Sequence, residues 1–548
     1  MDKFKPKLSL LKVVLFLAAL LMESCGRMGP DKPDYWPTKG WRTATPESQG
    51  MDSALLLDML EVIWQNDMKI DSALVVRNGY IVLDAYSYPH DAADRHNIYS
   101  CSKSVTSALI GIAIDKGYIK SVREPVLDFF PEHTAQNLDA DKKAMTLEHV
   151  LSMTTGLECR DSYRYKWVGL QQLRNSDDWV QFMIDLPMAQ QPGTHFEYCN
   201  GATFLLSAIL QQKTGMNSLA FAEKHLFKPL GISEISWPSN PHGITVGFGK
   251  IYMRPQDMAK FGYLYLNNGL WENQQIISSR WIKDSTRKHI STERLLDYGY
   301  QWWTAGASGY AAMGYGGQFI FVVPPKNIVA VFTSELDLKD ILFPSVLLRS
   351  HIIPAAKSDK PLPQNLQQQN ALKDLMALWQ ETSPKDRDRV RKNAGEALSD
   401  LQPGQYVNTT YGFSVQYGPE LTITDHAREP GELFRKKAPE GIPIFSVAVA
   451  DIPRGLALKD TGQFLLKLYQ KNSQVEDPAI RKQELITLSD GTPANYGEII
   501  WRYRSFDLVT VAVGAYKDDK LIGVSMVGSR NMPTKYLADM VKSLKFNN

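Results

Sequence analysis

The sequence predicts a mixed α/β (α+β) protein in which an antiparallel sheet is flanked by helices and followed by a second, smaller α+β unit. Two β-rich runs in SALVVRNGYIVLDAYSY meet at Asn78-Gly79, the strongest short-range signal for a β-hairpin. The runs YGYQWWTAG, GYAAMGYGGQFIFVVP and NIVAVFTSEL resemble successive strands joined by tight glycine turns. Between the hairpin and these strands, a very apolar helix follows Ser100.

Composition indicates where the units begin and end. The main sheet-and-helix domain is predicted to span residues 44–353. Residues 354–403 contain prolines, LQQQN and SPKDRDRVRKNAGE, which indicates a linker with one amphipathic helix around Leu372 to Trp379. From Tyr406 the strand pattern restarts, and the helical runs TGQFLLKLYQK and MPTKYLADMVKSLKF accompany it. A self-contained α+β sandwich domain is therefore predicted over residues 404–548.

The first 25 residues have the pattern of an export signal. Four lysines flank an apolar run that ends near Met22 and is too short for a stable membrane span. The run stops at Ser24-Cys25-Gly26, which resembles a bacterial lipoprotein signal in which Cys25 becomes the lipidated first residue. An uncleaved anchor is the alternative. Residues 26–43 are expected to be a spacer, so we expect a protein lipid-anchored in the bacterial cell envelope, periplasmic or at the outer surface.

Charge and cysteine usage narrow the function classes. Lys and Arg number 61 and Asp and Glu 59, and this net charge of +2 argues against nucleic-acid binding. The ten histidines include no HExxH motif, so we expect no metal and no cofactor. If Cys25 carries lipid, at least one of the other three cysteines is unpaired, and no disulfide framework is predicted. Cys101 and Cys199 are interpreted as small apolar fillers, with a thiol nucleophile as the alternative.

Ser100 and Lys103 head the apolar helix. Positions i and i+3 lie on one helix face, so both side chains project from the first turn. A lysine is almost never buried unless it is paired or functional. Lys103 either snorkels to solvent at the helix end, or it has a lowered pKa and takes a proton from Ser100. Ser-x-x-Lys occurs three times, but only this copy opens a buried helix.

Two further segments bring candidate groups. Tyr198-Cys199-Asn200 lies on a loop just before another apolar helix, and AMGYGGQ, residues 312–318, lies at a strand edge with closely spaced glycines. Glycine lets a backbone N–H approach a ligand where a Cβ would clash. Such an N–H, together with that of Ser100, could form an oxyanion hole. Four aromatic residues near these blocks line either an acyl or acceptor pocket or the core: Trp167, Trp302, Trp303 and Tyr310.

In this order the blocks IYSCSKSVTSALIG, TLEHVLSMTTGL, PGTHFEYCNGATFLL, MRPQDMAKFGYLYLNNGLW and GGQFIFVVP resemble the serine β-lactamase-related hydrolases. The resemblance covers about residues 44–353 and implies a β-lactamase-like antiparallel sheet with an all-helical lobe. It implies Ser100 as nucleophile, Lys103 as its partner and Tyr198 as general base. It also implies that Asn200 orients Lys103. The residues that it implies for the oxyanion hole and substrate binding are Asn200, Gly314, Tyr315, Gly317 and Gln318. A tyrosine can act as that base only beside a positive charge such as Lys103.

The third block departs from the family pattern. Most members carry Lys or His, then Thr or Ser, then Gly, whereas this chain has Ala312-Met313-Gly314. Without that cation, the carboxylate of a β-lactam loses its charged partner, which argues against efficient β-lactamase or carboxypeptidase activity. The Gly-x-Gly-Gly-Gln form is more similar to the esterase and 6-aminohexanoate-dimer hydrolase side of the family.

The sequence therefore predicts an envelope serine hydrolase that forms an acyl-enzyme at Ser100 from an ester or small amide. The expected partners are a small-molecule acyl donor, water or an alcohol as acceptor, and the membrane through the lipid anchor. Acyl transfer to a hydroxyl compound through the same acyl-enzyme is the first alternative. Cell-wall peptide processing and a non-catalytic penicillin-recognising sensor are the others. The C-terminal unit faintly resembles PsbP-type domains, which brings no catalytic residue.

Overall fold

A computed structural model gives the fold. It describes these residues: 33, 35–65, 67–161, 167–292, 296–338, 340–383, 386, 404–408, 413–417, 432–437, 443–451, 459, 476–488, 491–503, 506–517, 520–529 and 545–546. They form two compact units. The first contains the described residues of 1–52, 69–342 and 356–369, and the second those of 53–68, 343–355 and 370–548.

The first unit is built on one antiparallel sheet of seven strands in the order β2-β1-β11-β10-β9-β8-β7. Two short pairs, β3 with β4 and β5 with β6, lie outside it. The strands are β1 Ile70–Arg77, β2 Tyr80–Tyr86, β3 His96–Asn97, β4 Tyr252–Met253, β5 Leu270–Trp271, β6 Gln274–Gln275, β7 Asp297–Tyr298, β8 Trp303–Thr304, β9 Tyr310–Gly314, β10 Gln318–Val323 and β11 Ile328–Ser334.

The turn and burial patterns explain the sheet. Asn78 and Gly79 both have positive φ, 51° and 85°, as a two-residue hairpin turn requires, which confirms the β1–β2 hairpin. Every residue of β1, β10 and β11 is buried. These central strands consist largely of Val, Ile, Phe and Ala, residues that suit strands buried on both faces.

Helices flank this sheet and form a separate helical group. Those of the first unit are α2 Cys101–Asp115, α3 Ala140–Ala144, α4 Leu147–Leu151, α5 Val168–Asn175, α6 Trp179–Asp185, α7 Asn200–Thr214, α8 Ser218–Ala222, α9 Pro255–Leu266 and α10 Ser279–Thr286. Helices α1 Ser53–Gln65, α11 Phe343–Leu347 and α12 Ile353–Ala355 belong to the second unit, and α13 Leu366–Glu381 is divided between the two. Helix α2 packs against α7 on one side and against strands β9 and β10 on the other, while α4 and α6 pack against α7. The antiparallel sheet flanked by helices confirms the fold class predicted for this region.

Helix α2 is the central element of the first unit. Residues 101–113 are all buried, so the helix has almost no solvent face. At Gly111 a Cβ would lie 2.4 Å from a ring carbon of Trp281, which shows how closely α10 approaches. A helix that is apolar all round belongs in a core. Ser100, immediately before this helix, is therefore fixed by the core of the unit.

The second unit contains two further antiparallel sheets. Six strands are ordered β14-β15-β19-β18-β17-β16 and three are ordered β12-β13-β20. Their bounds are β12 Gly404–Asn408, β13 Phe413–Tyr417, β14 Glu432–Lys437, β15 Pro443–Asp451, β16 Glu476–Thr487, β17 Pro493–Tyr503, β18 Phe506–Lys517, β19 Lys520–Ser529 and β20 Lys545–Phe546. The two helices predicted after residue 460 lie almost wholly outside the described residues, so the sandwich stays a prediction.

Two other predictions concern the segments before and after the main domain, namely the export signal and the linker helix. Helix α13 confirms an amphipathic helix around Leu372 to Trp379, although it begins earlier and ends later. The export signal and Cys25 lie outside the described residues. Within the residues that the structure describes, no helix has the length and apolarity needed to cross a membrane.

Candidate active site

Ser100 occupies a tightly held turn between β3 and α2. The preceding residue, Tyr99, has a left-handed backbone with φ of 43°, which redirects the chain into the helix. The Ser102 hydroxyl donates to the Tyr99 carbonyl at 2.7 Å and accepts from the N–H of Ile251 at 3.3 Å. The Cys101 thiol donates to the carbonyl of Gln318 at 3.4 Å. The turn is thus fixed to the sheet edge on one side and to the segment before β4 on the other.

Lys103 lies beside Ser100 and is only 1% exposed. Its Nζ is 3.1 Å from Ser100 Oγ, 2.6 Å from Asn200 Oδ1 and 3.0 Å from the Phe248 carbonyl oxygen. Three polar partners match the three hydrogen-bonding positions of an amine. The snorkelling alternative for Lys103 is therefore wrong, because the amine points into the protein. The burial of this amine also meets the condition under which its pKa falls.

Burial controls the electrostatics around Lys103. It lowers the pKa of the Lys103 amine to about 7, against the opposing effect of the negative charge of Asp161, which raises it. Burial also raises the pKa of Asp161, while hydrogen bonds from Asn200 and the charge of Lys103 lower it. Near neutral pH, the neutral and charged forms of the amine are therefore both accessible.

Tyr198 completes the group. Its side chain interacts with that of Ser100, and its ring centroid is 4.8 Å from Lys103 Nζ. Burial raises the pKa of Tyr198 above its ordinary value of 10. Trp303 stacks against the Tyr198 ring at 6.1 Å between centroids, whereas Trp302 is fully buried and packs on Phe261. The structure therefore brings Ser100, Lys103 and Tyr198 together, and the raised pKa of Tyr198 favours its protonated form.

Asn200 links this group to a residue that sequence reasoning missed. Asn200 begins helix α7, and its backbone N–H donates to Asp161 Oδ2 at 2.7 Å. The first N–H groups of a helix have no partner within the helix, so a carboxylate is a natural acceptor there. Asp161 lies 37 residues before Tyr198 in sequence, and no local pattern marks it. Only the folded loops bring it to α7.

A disulfide joins the same two loops. Cys159 and Cys199 are bonded, with a Cα–Cα distance of 6.0 Å. The interpretation of Cys199 as an apolar filler is therefore wrong: the two chain segments, 40 residues apart, meet under the helix α7 N-terminus. Cys101 is buried, as expected for a filler, and burial raises the pKa of its thiol.

The same cysteines belong to the possible metal ligands. Among the residues that the structure describes, one group of three has ligand atoms within 4.8 Å of one another, namely Cys159, Asp161 and Cys199. Zinc takes thiolate sulfur, and a disulfide offers none. With Cys159 and Cys199 oxidised, this group is therefore a disulfide beside the Asp161 carboxylate and offers no thiolate ligand.

The turn between β9 and β10 carries the predicted oxyanion residues. At Gly314 a Cβ would lie 2.5 Å from the carbonyl oxygen of Ile98, two residues before Ser100, so only glycine fits this approach. Gly317 has φ of 88°, and a Cβ there would lie 2.4 Å from Ser334 Oγ. The turn thus packs directly on the segment that leads to Ser100.

The side chains of this turn face different ways. Gln318 is 3% exposed and donates its amide N–H to the Ser334 carbonyl, so it holds the turn to β11. Tyr315 is 48% exposed, and its ring centroid lies 5.5 Å from that of Tyr99. A cavity of about 250 Å³ adjoins these two rings. Its other lining residues include three carboxylates, those of Asp71, Glu335 and Asp337.

Comparison with known proteins places the chain. The family model described as Beta-lactamase matches residues 61–340. The 6-aminohexanoate-dimer hydrolase of Paenarthrobacter ureafaciens is 23% identical over 290 residues, 48% of this chain and 72% of that protein. A beta-lactamase of Escherichia coli (strain K12) is 28% identical over 231 residues, 39% of this chain and 55% of that protein.

A solved structure of a family VIII carboxylesterase is 18% identical, with a TM-score of 0.43 over 54% of this chain and 93% of that one. Both of the curated relatives above carry the names of hydrolytic enzymes. The family match spans half of the chain and contains the Ser100, Lys103 and Tyr198 group. This chain belongs to the beta-lactamase family of hydrolases.

Proposed function

We propose that this protein is an envelope serine hydrolase that forms an acyl-enzyme at Ser100 from an ester or a small amide. One observation carries the proposal: the buried Lys103 amine lies 3.1 Å from Ser100 Oγ, and the Tyr198 ring centroid lies 4.8 Å from that amine. A serine hydroxyl is a weak nucleophile until an adjacent base removes its proton. The arrangement supplies that base in a water-poor setting.

Hydrogen counting supports Lys103 as the proton acceptor. A neutral amine has two N–H groups and one lone pair. The Asn200 side-chain oxygen and the Phe248 carbonyl can accept the two N–H groups, at 2.6 and 3.0 Å. The lone pair is then left for the Ser100 hydroxyl. Because burial lowers the pKa of Lys103 to about 7, this neutral form is populated at physiological pH.

Tyr198 then serves as a neutral proton relay. Burial raises the pKa of its hydroxyl, which disfavours the phenolate that a tyrosine base requires. In the proposed cycle, Ser100 Oγ attacks the substrate carbonyl while its proton passes to Lys103 Nζ. As the bond between the carbonyl carbon and the leaving group breaks, the Tyr198 hydroxyl donates its proton to that group and regains one from the Lys103 ammonium. Water then attacks the acyl-enzyme by the reverse transfers, with the N–H groups of Ser100 and Tyr315 as the proposed oxyanion hole.

The charges around the β9–β10 turn favour uncharged or cationic acyl donors over anionic ones. Residues 312–318 contain no Lys or Arg, so a substrate carboxylate finds no cation on this turn. The cavity beside Tyr99 and Tyr315 is lined by Asp71, which lies 3.4 Å from His96 of the same lining, and by the carboxylates of Glu335 and Asp337, so its lining is net negative and disfavours an anion. We therefore expect esters to be hydrolysed faster than a chromogenic cephalosporin, and the reverse order would contradict this choice of substrate.

The location is part of the proposal. We infer that residues 1–25 export the chain, that Cys25 carries lipid, and that residues 26–43 separate the anchor from the catalytic domain 44–353. The Cys159–Cys199 bond supports export, because structural disulfides persist mainly in oxidising compartments. Residues 354–403 and 404–548 are proposed as linker and accessory domain.

Fluorophosphonate labelling tests the function. The full-length protein in detergent should be labelled at Ser100, and the Ser100→Ala variant should not be labelled. Intact-mass spectrometry with an activated ester should then detect a covalent acyl adduct that decays in water. Faster decay with an alcohol, yielding its ester, would favour the acyltransferase alternative. A wild-type protein that fails to react would favour the sensor alternative.

A further inference from the structure

Two loops meet under Lys103, and the disulfide ties them together at the site itself. One loop carries Cys159 and, two residues later, Asp161. The other carries Cys199, which stands between Tyr198 and Asn200 in sequence. The covalent bond is therefore attached to the backbone segment that presents both the phenol and the amide to Lys103. None of the steps proposed above uses this bond or the carboxylate.

A continuous chain of contacts leads from Asp161 to the nucleophile. Asp161 Oδ2 accepts the backbone N–H of Asn200 at 2.7 Å, and Asn200 Oδ1 accepts from Lys103 Nζ at 2.6 Å. Lys103 Nζ in turn lies 3.1 Å from Ser100 Oγ. Asp161 is 1% exposed, and burying a carboxylate costs free energy unless bonded partners compensate it.

We propose that Asp161, clamped by the Cys159–Cys199 disulfide, is a positioning residue that fixes Asn200 and through it holds the Lys103 amine against Ser100. The inference rests on the proposed function and adds a positioning role for Asp161 and the disulfide. The disulfide keeps the Asp161 loop at the helix α7 N-terminus. The carboxylate then sets the orientation of the first residue of α7, whose side chain grips the amine.

The carboxylate also acts on the amine by charge. The polar and titratable groups facing Lys103 are the Phe248 carbonyl and the side chains of Ser100, Cys101, Tyr198, Asn200 and Asp161. Of these, the negative charge of Asp161 is the largest opposing influence on the lowered pKa of Lys103. Removing that charge should lower the pKa of Lys103 further. A group that only capped helix α7 would not change the pH dependence of the reaction.

Two substitutions separate position from charge in full-length enzyme. Asp161→Asn keeps an oxygen that can accept the Asn200 N–H but removes the charge, while Asp161→Ala removes both. At pH 8 we expect Asp161→Ala to lower kcat/KM for an aryl ester about tenfold, since small displacements of catalytic groups are costly. Asp161→Asn should retain most of the rate and shift the acid limb of the pH profile to lower pH.

A matched control removes another buried carboxylate beside a buried lysine. Asp257 and Lys260 in α9 form such a pair at 3.2 Å, outside the contact chain described above. Asp257→Asn should leave both kcat/KM and the acid limb unchanged. Wild-type kcat/KM in Asp161→Ala, or an unshifted acid limb in Asp161→Asn, would overturn the inference.

The disulfide is tested by coupling. Gentle reduction of the folded enzyme, followed by thiol counting and circular dichroism, should lower kcat/KM while the fold is retained. Because the bond acts through Asp161, reduction should have little further effect on Asp161→Ala. If reduction lowers kcat/KM by the same factor in Asp161→Ala as in wild-type enzyme, the bond does not act through Asp161. If wild-type enzyme is not labelled at Ser100 by fluorophosphonate, the proposed function fails. If wild-type enzyme is labelled but the Asp161 variants have wild-type kinetics, this inference alone fails.

Discussion

The two sides of Ser100 are built on different principles. The amine side is a polar network in which Lys103, Asn200 and Asp161 are buried and linked by hydrogen bonds, and the Tyr198 ring beside them is partly buried. The turn side, residues 314–318 with Tyr99, carries two exposed rings and opens on a cavity. A buried polar network has one satisfactory arrangement, whereas an open surface tolerates change. We therefore expect the amine side to determine the chemistry and the turn side to determine the substrate.

The largest effect should come from the amine. Lys103→Met keeps the bulk of the side chain but removes the proton acceptor, so kcat/KM for an aryl ester should fall about 10³-fold or more. The matched control is Lys260→Met, which removes another buried lysine, outside the site. Ester hydrolysis measured beside circular dichroism decides the matter. A Lys103→Met enzyme with near wild-type rates would show that a different base acts.

Tyr198→Phe should have the next largest effect. Loss of the relay hydroxyl should lower kcat about 10²-fold for an alkyl ester, whose leaving group needs a proton. The loss should be smaller for an aryl ester with a stable leaving anion. Tyr300→Phe is the control, because the Tyr300 hydroxyl binds Glu148 and not Ser100. Equal losses on both esters would argue that Tyr198 acts by packing.

The pH dependence tests the state of the amine. Because burial lowers the pKa of Lys103 to about 7 and the neutral form is the acceptor, activity should be lost as pH falls through this value. kcat/KM should be about tenfold lower at pH 6 than at pH 8. The profile of an ester at constant ionic strength measures this, and a flat profile over the same interval would contradict a buried amine base.

The turn side should respond most weakly. Gly317→Ala places a Cβ against Ser334 Oγ at a left-handed backbone position, which should lower stability by about 1–2 kcal/mol and kcat/KM by about threefold. Gly306→Ala is the control, since Gly306 is also left-handed but its Cβ meets nothing within 4 Å. Thermal melts and ester kinetics on both variants separate strain from site geometry. Equal kinetic effects would show that the Gly317 turn does not shape the site.

What the sequence could predict was local. The Asn78-Gly79 hairpin and the buried helix after Ser100 follow from turn chemistry and apolar patterning within a few residues. Ser100 and Lys103 share a helix turn, so their proximity follows from helical geometry alone. Tyr198 lies almost a hundred residues further along the chain, so only the family resemblance could place it beside Ser100 and Lys103.

What the sequence could not predict depends on chain segments meeting in space. The Cys159–Cys199 bond and the Asp161 carboxylate need two loops to close on one helix end, and neither loop has a diagnostic pattern. Gln318 was expected at the substrate site, yet its amide lies against the Ser334 backbone, because a one-residue step along a strand reverses the face. Its proposed role in substrate binding stays a prediction.

Tyr99 has one last consequence. A tyrosine held at φ of 43° makes the nucleophile's turn less stable by about 1 kcal/mol or more, a cost that glycine would avoid. A Tyr99→Gly protein should accordingly melt later yet turn over more slowly, since the backbone before the reactive oxygen would gain freedom. In the proposed mechanism, a relaxed backbone before Ser100 would thus raise the melting temperature and lower the turnover rate.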